Sequence, residues 1–184
     1  MEIEGEKILR GSASQFYVAA ELSRRGVVAA LTMGNSPTTD ILCTRPDGEG
    51  FVCIQVKTFR KGGRSCSVGL KAERNHGPDF FWVLVGLPTD GDNAPIFYVI
   101  PSGEMAVHIT KCHTIWVKTP GRDGRPHKDN PIRSVRISRK NIDGWEIKDF
   151  MDRWDLIQLR LGMDPNRKLA VIPEDDDETD EESP

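Results

Sequence analysis

Asp40, Gln55 and Lys57 are polar residues beside or within short apolar runs, a setting in which such side chains can carry chemistry. Asp40 directly precedes one apolar run, and Gln55 and Lys57 interrupt the next. Leaving an acid, an amide and an amine without partners in a largely buried sheet would cost roughly a few kcal/mol. We therefore expect these groups to bind one another, a metal ion or a substrate.

A β-hairpin is predicted to bring the three residues together. Two apolar runs flank residues 45–50, whose sequence Arg-Pro-Asp-Gly-Glu-Gly has the chemistry of a turn. Side chains alternate along a strand, so Gln55 and Lys57 share one face while the other face is core. Folding the chain about the turn places Asp40 opposite Gln55 or Val56.

The order of these residues resembles the active-site motif of the PD-(D/E)XK nuclease superfamily, the fold of many restriction endonucleases and Holliday-junction resolvases. The acidic half of the motif matches residues 37–40, and the second half matches residues 55–57, where Gln stands in place of the usual Asp or Glu. A Gln in that position also occurs in a group I intron homing endonuclease branch, and residues 11–26 look like the first core helix of that branch. The resemblance implies an α/β, restriction-endonuclease-like core with a central mixed β-sheet flanked by helices.

The resemblance also implies a metal-dependent DNA endonuclease that hydrolyses phosphodiester bonds with Mg²⁺ or Mn²⁺. In such a site Asp40 is the anionic metal ligand, Gln55 offers its amide oxygen, and the backbone carbonyl of Val56 is the third protein ligand. Lys57 would hold the nucleophilic water or stabilise the charge that grows on the phosphoryl group. Gln15 occupies the helix position that often carries a Glu and is an outer member of the site.

Other functions stay open because amides replace two of the usual carboxylates. Asp40 is the only acid predicted in the site unless Glu73 or Asp79 reaches it, and a neutral amide binds Mg²⁺ more weakly than a carboxylate does. The alternative is a catalytically inactive nuclease-fold protein that binds DNA or a protein partner. A third class, a purely structural interaction protein, predicts no salt-dependent affinity for nucleic acid.

A basic rim is predicted beyond the second strand of the hairpin. Its members are the cations that follow the Gln-Val-Lys motif, namely Arg60, Lys61, Arg64, Lys71 and Arg74. Such cations neutralise DNA phosphates. The alternative interpretation is a solvated loop beyond the end of a strand.

The acidic residues are concentrated at the C-terminal end. The 184 residues include 28 acids and 25 bases, but eight of the acids fall within residues 174–184, which leaves 20 acids against 25 bases over residues 1–173. We predict a single nuclease-like domain over residues 1–173 and an acidic disordered tail over residues 174–184. The tail either keeps the protein soluble or competes with nucleic acid for the basic surface.

The remaining features predict a cytoplasmic protein whose partner is DNA. There is no apolar run long enough to span a membrane, and the N-terminal residues lack the pattern of a signal peptide. The four cysteines form no Cys-x-x-Cys pair, which is typical of reduced thiols. The resemblance leaves a homodimer open, since nucleases of this fold often work as dimers with one active site for each strand.

Apolar periodicity predicts the elements that surround the hairpin. A helix is expected over residues 6–25, and a continuous apolar run predicts a strand over residues 80–87 that is buried on both faces. Helical spacing over residues 147–161 predicts a further helix packed on the core. The core-facing stripe of the first helix is predicted to be Leu9, Ala13, Phe16 and Ala20.

Overall fold

The structure is a computed structural model that describes residues 4–33, 36–89, 93–138 and 144–166. The tail predicted over residues 174–184 lies outside the described residues. The helices are α1 (Glu4–Ser23), α2 (Ser102–Lys118) and α3 (Asp155–Arg160), with short 3₁₀ turns at Leu70–Glu73 and Ile147–Phe150. The strands are β1 (Val28–Leu31), β2 (Ile41–Thr44), β3 (Val52–Arg60), β4 (Ser65–Ser67), β5 (Phe80–Leu87), β6 (Ile96–Pro101) and β7 (Ser134–Arg136). None of the described helices combines the length and the apolarity that crossing a bilayer requires.

Within the described residues, five strands form the central sheet in the order β1-β2-β3-β5-β6. β2 is antiparallel to both β1 and β3, β3 is parallel to β5, and β6 is antiparallel to β5. The short strands β4 and β7 pair separately as a ribbon, which we call the β4–β7 ribbon. The predicted α/β architecture with a central mixed sheet is therefore confirmed, and it agrees with the restriction-endonuclease-like core that the resemblance implied.

The central sheet separates two hydrophobic cores. On one face, Ile54 and Val56 of β3 pack with Val18 and Leu22 of α1 and with residues of α3. On the other face, α2 and the β4–β7 ribbon cover the sheet. β5 supplies side chains to both cores, and its first seven residues are buried. The prediction of a strand buried on both faces is confirmed for β5.

The buried face of α1 differs from the predicted one. Leu9 and Phe16 keep 70% and 63% of their surface exposed, whereas Ser14 and Val18 are fully buried. The hydroxyl of Thr58 in β3 donates a hydrogen bond to Ser14 Oγ (2.8 Å), so a polar residue can lie on the buried face because β3 satisfies it. The predicted core stripe of α1 is therefore wrong.

The C-terminal segment is not the single helix that residues 147–161 predicted. The 3₁₀ turn ends at Phe150 and α3 begins at Asp155. Between them, Asp152 has a φ of +52°, a left-handed conformation that cannot continue a right-handed helix. The backbone N–H of Asp152 donates to the Phe97 carbonyl (3.0 Å), so the kink also ties this segment to β6.

Candidate active site

Asp40 lies where the β2–β3 hairpin opens. The β2–β3 ladder begins one residue after Asp40, and the backbone N–H of Asp40 donates to the Ile54 carbonyl (2.8 Å). The carbonyl of Asp40 accepts a hydrogen bond from the N–H of Thr32 (2.9 Å), which follows β1. The carboxylate then contacts both Gln55 and Val56, the two positions that the hairpin predicted.

One oxygen of the Asp40 carboxylate is held by the protein and the other is not. Oδ2 accepts hydrogen bonds from the backbone N–H of Val56 (2.7 Å) and from Nε2 of Gln55. Oδ1 has no hydrogen-bond partner among the described residues. Because Gln55 donates through its nitrogen, its side-chain oxygen Oε1 is left to bind a cation or a donor. Gln55 as a whole is only 7% exposed, so most of its side chain is enclosed by the protein.

The backbone of Val56 completes a set of three oxygen atoms. In a β-strand the N–H and the C=O of one residue point toward the same neighbouring strand. The N–H of Val56 points toward Asp40, and β2 no longer pairs with β3 at this position. The carbonyl of Val56 therefore faces the same side as the carboxylate, without a strand partner there.

These oxygens fit a magnesium-type ion with one charged ligand. Mg²⁺ takes oxygen ligands and is often held by one or two carboxylates together with waters and substrate phosphates. No group of three His, Cys, Asp or Glu side chains that could hold a metal occurs in the described part of the chain. The two acids that are candidates for further metal ligands bind arginines instead: Glu73 pairs with Arg133 (2.5 Å) and Asp79 with Arg160 (2.6 Å).

Lys57 extends from the same face of β3 as Gln55. Its side chain is half-buried and makes no hydrogen bond or ion pair with the described residues. Cys66 of β4 lies near it, and burial raises the pKa of the Cys66 thiol to about 12, although the positive charge of Lys57 acts in the opposite direction. The neighbour of Lys57 is therefore a neutral thiol, and the ammonium group remains available to a phosphate.

Gln15 lies on α1, one residue after the point at which the helix is anchored to β3. The residue before it, Ser14, is anchored to β3 through the hydroxyl of Thr58. The side chain of Gln15 is half-buried and makes no hydrogen bond with other described residues. Its role as an outer member of the site stays a prediction.

The five predicted rim cations divide into two groups. Lys61 Nζ donates to the Ala94 carbonyl (2.7 Å), and Lys71 Nζ donates to the carbonyl of Pro37, in the loop that leads to Asp40. These contacts hold both ammonium groups against backbone. The guanidinium groups of the other three cations are exposed and pair with none of the described residues: Arg60, Arg64 and Arg74.

Two contacts that support the site were not predicted. They are the Thr58–Ser14 hydrogen bond and the bond from Lys71 to Pro37, which join segments 44 and 34 residues apart. Local patterns carry no information about such partners. The one available signal was the serine itself, because a hydroxyl on the buried stripe of a helix requires a partner from another element.

The solved structures that are similar to this chain include two nucleases. The bacterial homing endonuclease I-Ssp6803I is 15% identical, with a TM-score of 0.47 over 83% of this chain and 92% of its own. Hjc, a Holliday junction resolvase from the archaeal hyperthermophile Archaeoglobus fulgidus, is 14% identical, with a TM-score of 0.40 over 70% of this chain and 84% of its own. No protein-family model and no curated protein sequence matches the chain. At these levels of similarity, the function has to be inferred from the residues of the site.

Proposed function

We propose that this protein is a metal-dependent DNA endonuclease that hydrolyses phosphodiester bonds. The observation that supports this function best is the convergence of a carboxylate, an amide oxygen and a backbone carbonyl beside a lysine that has no partner among the described residues. Asp40, Gln55 and Val56 would hold Mg²⁺ or Mn²⁺, both of which accept oxygen ligands. Lys57 would face the phosphate.

Each residue of the site has a distinct task in this proposal. The ion, when bound, would polarise the phosphoryl oxygen and lower the pKa of a water molecule. Lys57 stabilises the negative charge that develops on the phosphoryl group, because its ammonium carries three donors that the described residues leave unused. The Val56 N–H keeps the Asp40 carboxylate in a fixed orientation. Gln15 is the outer residue of this proposal and would orient a water or a ligand through its amide.

A second candidate function is DNA or partner binding without cleavage. It is favoured by the hydrogen bonds that Asp40 Oδ2 already receives from Gln55 and Val56, since they stabilise the carboxylate without a cation. An assay of the purified protein on duplex, branched and single-stranded DNA with Mg²⁺ or Mn²⁺ separates the two. Metal-dependent cleavage supports the nuclease, whereas salt-dependent binding without cleavage supports the second function.

The neutral amide at position 55 should limit the affinity of the site for metal ions. We expect Gln55→Glu to raise the affinity for Mn²⁺ by about tenfold or more, because it adds a second charged ligand. Without metal the same variant should melt at a lower temperature than the parent, because two carboxylates would face each other where Gln55 now donates to Asp40. Calorimetric titration with Mn²⁺ and thermal unfolding in EDTA measure the two effects.

The matched control for Gln55→Glu is Asn75→Asp, which makes the same amide-to-acid change at an exposed position. The Oδ1 of Asn75 accepts the N–H of Gly77 (3.0 Å), and a carboxylate preserves this bond. The control should leave Mn²⁺ affinity unchanged. Equal Mn²⁺ affinity for the parent and Gln55→Glu would contradict the assignment of Gln55 as a ligand.

The exposed arginines of the rim are proposed to contact DNA phosphates. Each phosphate contact that is lost should reduce the slope of log Kd against log salt by about 0.9. We expect the triple variant of Arg60, Arg64 and Arg74 to alanine to bind duplex DNA more weakly and with a flatter salt dependence. Fluorescence anisotropy over a range of NaCl concentrations measures this slope, and Lys148→Ala is the control for an exposed cation elsewhere. An unchanged slope in the triple variant would assign these residues to a solvated surface.

A homodimer is proposed through the exposed apolar face of α1. Leu9 and Phe16 are 70% and 63% exposed, Ile8 beside them is 65% exposed, and the neighbouring edge strand β1 exposes 46% of Val28. A stable interface buries about 800 Å² on each partner, which requires both the helix face and the β1 edge. A second copy would cover this surface by the two-fold symmetry that most dimers use.

Replacing Leu9 and Phe16 with serine should therefore weaken the dimer by about 100-fold or more without unfolding the monomer, since both side chains are exposed. Sedimentation equilibrium measures the dissociation constant. Val107→Ser, which changes a 70% exposed residue of α2, is the matched control. A parent protein that stays monomeric at all concentrations tested would exclude the dimer.

A further inference from the structure

The loop of residues 36–40 leads into β2 and ends at Asp40, the acid of the candidate active site. These five residues belong to no strand or helix. The hydroxyl of Thr32, which follows β1, donates to the Thr39 carbonyl (2.7 Å), and the backbone N–H of Asp40 donates to the Ile54 carbonyl (2.8 Å). Both bonds fix the end of the loop that is next to Asp40, so the start of the loop depends on other contacts.

Lys71 supplies a contact to the start of this loop. It lies in the 3₁₀ turn Leu70–Glu73, and its Nζ donates a hydrogen bond to the carbonyl of Pro37, three residues before Asp40. A backbone carbonyl can only accept, so the ammonium group serves here as a donor that fixes a main-chain position. Lys71 therefore connects the 3₁₀ turn to the loop that carries Asp40.

The backbone of Lys71 is itself anchored. Its carbonyl accepts hydrogen bonds from the N–H of Arg74 (3.2 Å) and from Nε2 of His76 (3.0 Å). The next residue, Ala72, is fully buried in the core beneath α2. Because the backbone of Lys71 is held on both counts, the hydrogen bond from its ammonium group restrains the loop instead of following it.

His76 ties this turn to the face of the sheet that carries the site. Its imidazole stacks on Phe80 of β5, with ring centroids 4.5 Å apart and an angle of 24°, and its backbone N–H donates to Oγ of the buried Ser102 (2.8 Å). Phe80 is in register with Cys53 of β3, and both pack in the same core. Cys53 shares its face of β3 with Gln55, because side chains alternate along a strand. The histidine and the turn anchored to it are therefore on the same face as Gln55.

The sequence predicts Lys71 as a cation of the basic rim, but in the structure its ammonium group already has an acceptor. To bind a phosphate, Lys71 would have to release the Pro37 carbonyl. Arg74, three residues further on, is exposed and pairs with none of the described residues, so it can meet a phosphate without breaking a contact. The two neighbouring cations thus differ in what they are free to bind.

We propose that Lys71 is a positioning residue for the metal site and does not contact DNA. By holding the loop of residues 36–40, it keeps the Asp40 carboxylate within reach of the Val56 N–H, which donates to Oδ2 (2.7 Å). The inference rests on the proposed function, because it takes Asp40 as a metal ligand. Groups that orient a metal ligand typically change metal affinity by about 10–100-fold when they are removed.

The test uses Lys71→Met, which keeps the length of the side chain but removes its donor. We expect the dissociation constant for Mn²⁺, measured by calorimetric titration, to rise by about tenfold or more. We also expect the Val56 N–H of the metal-free protein to exchange with solvent about tenfold faster, because its bond to Asp40 forms less of the time. NMR measures this exchange without metal or DNA.

The direction of the change separates positioning from charge. Removing a positive charge near the site would by itself raise its affinity for a cation, so a fall in Mn²⁺ affinity identifies the loss of the hydrogen bond. Lys71→Arg retains a donor and should recover most of the affinity. Lys61→Met is the matched control, because Lys61 Nζ also donates to a backbone carbonyl, that of Ala94 (2.7 Å) before β6. This control should match the parent in Mn²⁺ affinity and in Val56 exchange.

Duplex DNA binding in Ca²⁺ tests whether Lys71 contacts a phosphate instead. A lost phosphate contact would reduce the slope of log Kd against log salt by about 0.9, whereas we expect Lys71→Met to keep the slope of the parent. Circular dichroism establishes that each variant is folded. A flatter slope, or Mn²⁺ affinity and Val56 exchange equal to those of the parent, would overturn the positioning role and leave the proposed nuclease intact. A parent that neither binds Mn²⁺ nor cleaves DNA would instead overturn the proposed function.

Discussion

Replacing Lys57 with alanine is expected to lower the rate of DNA cleavage by at least about 100-fold, with little change in the affinity for DNA. Removal of one donor that stabilises charge in a transition state typically costs about 10²–10³ in rate. Lys57 is suited to this task because its ammonium is half-buried and makes no hydrogen bond or ion pair with the described residues. Single-turnover cleavage with saturating Mg²⁺ measures the chemical step, and anisotropy in Ca²⁺ measures the affinity.

The lysines of the chain provide a control for the loss of one positive charge. Lys148 is 70% exposed and pairs with Glu146 on the 3₁₀ turn, away from β3. Lys148→Ala should cleave DNA at the parent rate. Lys57→Arg keeps the charge but presents it as a planar fork, so we expect it to recover only part of the lost rate. Cleavage by Lys57→Ala at the parent rate would exclude Lys57 from the chemistry.

The position of Lys57 was predictable because the hairpin depends on local chemistry. The turn residues at 45–50 fix where the chain reverses, and alternation along β3 then fixes which side chains share a face. These two rules place Asp40 beside Gln55 without information from any distant residue. The structure shows the same contact.

The partners of other charged residues were not predictable because they come from distant segments. Glu73 and Asp79 are candidate metal ligands by sequence, but in the structure they pair with Arg133 and Arg160, which are 60 and 81 residues away along the chain. A carboxylate close in sequence to the site can be turned away from it by such a partner. Only the tertiary structure determines which of these alternatives holds.

The face of α1 was mispredicted for a related reason. Apolar periodicity assigns buried positions on the assumption that polar residues point to water. Ser14 breaks that assumption because Thr58 satisfies its hydroxyl within the protein. Phe16 departs from the pattern in the opposite way, because it is apolar and yet 63% exposed. An exposed apolar residue either belongs to a surface that binds another molecule or is simply tolerated at the surface. The spacing of apolar residues along a helix does not distinguish these two cases.

Replacing Asp40 should abolish activity in two variants that differ in their effect on stability. Asp40→Asn keeps an oxygen that can accept the Val56 N–H but removes the one charged ligand, so we expect no metal-dependent cleavage and a nearly unchanged free energy of unfolding. Asp40→Ala also leaves the donors of Gln55 and Val56 without their acceptor. Buried donors without partners cost about 1–3 kcal/mol each, and Asp40 is only half-buried, so we expect Asp40→Ala to lose about 1–3 kcal/mol in total.

Urea denaturation of both variants, together with Mn²⁺ titration, separates the chemical role of Asp40 from its structural role. If the protein is a nuclease, Asp40→Asn should lose Mn²⁺ binding and cleavage but keep its stability. The reason is that the negative charge of Asp40 binds the metal ion, whereas its hydrogen bonds stabilise the fold. If Asp40→Asn instead keeps cleavage, the carboxylate acts only as the acceptor for Gln55 and Val56. If the parent binds no Mn²⁺ and both variants bind DNA as the parent does, the polar cluster supports the sheet, and the chain binds DNA without cutting it.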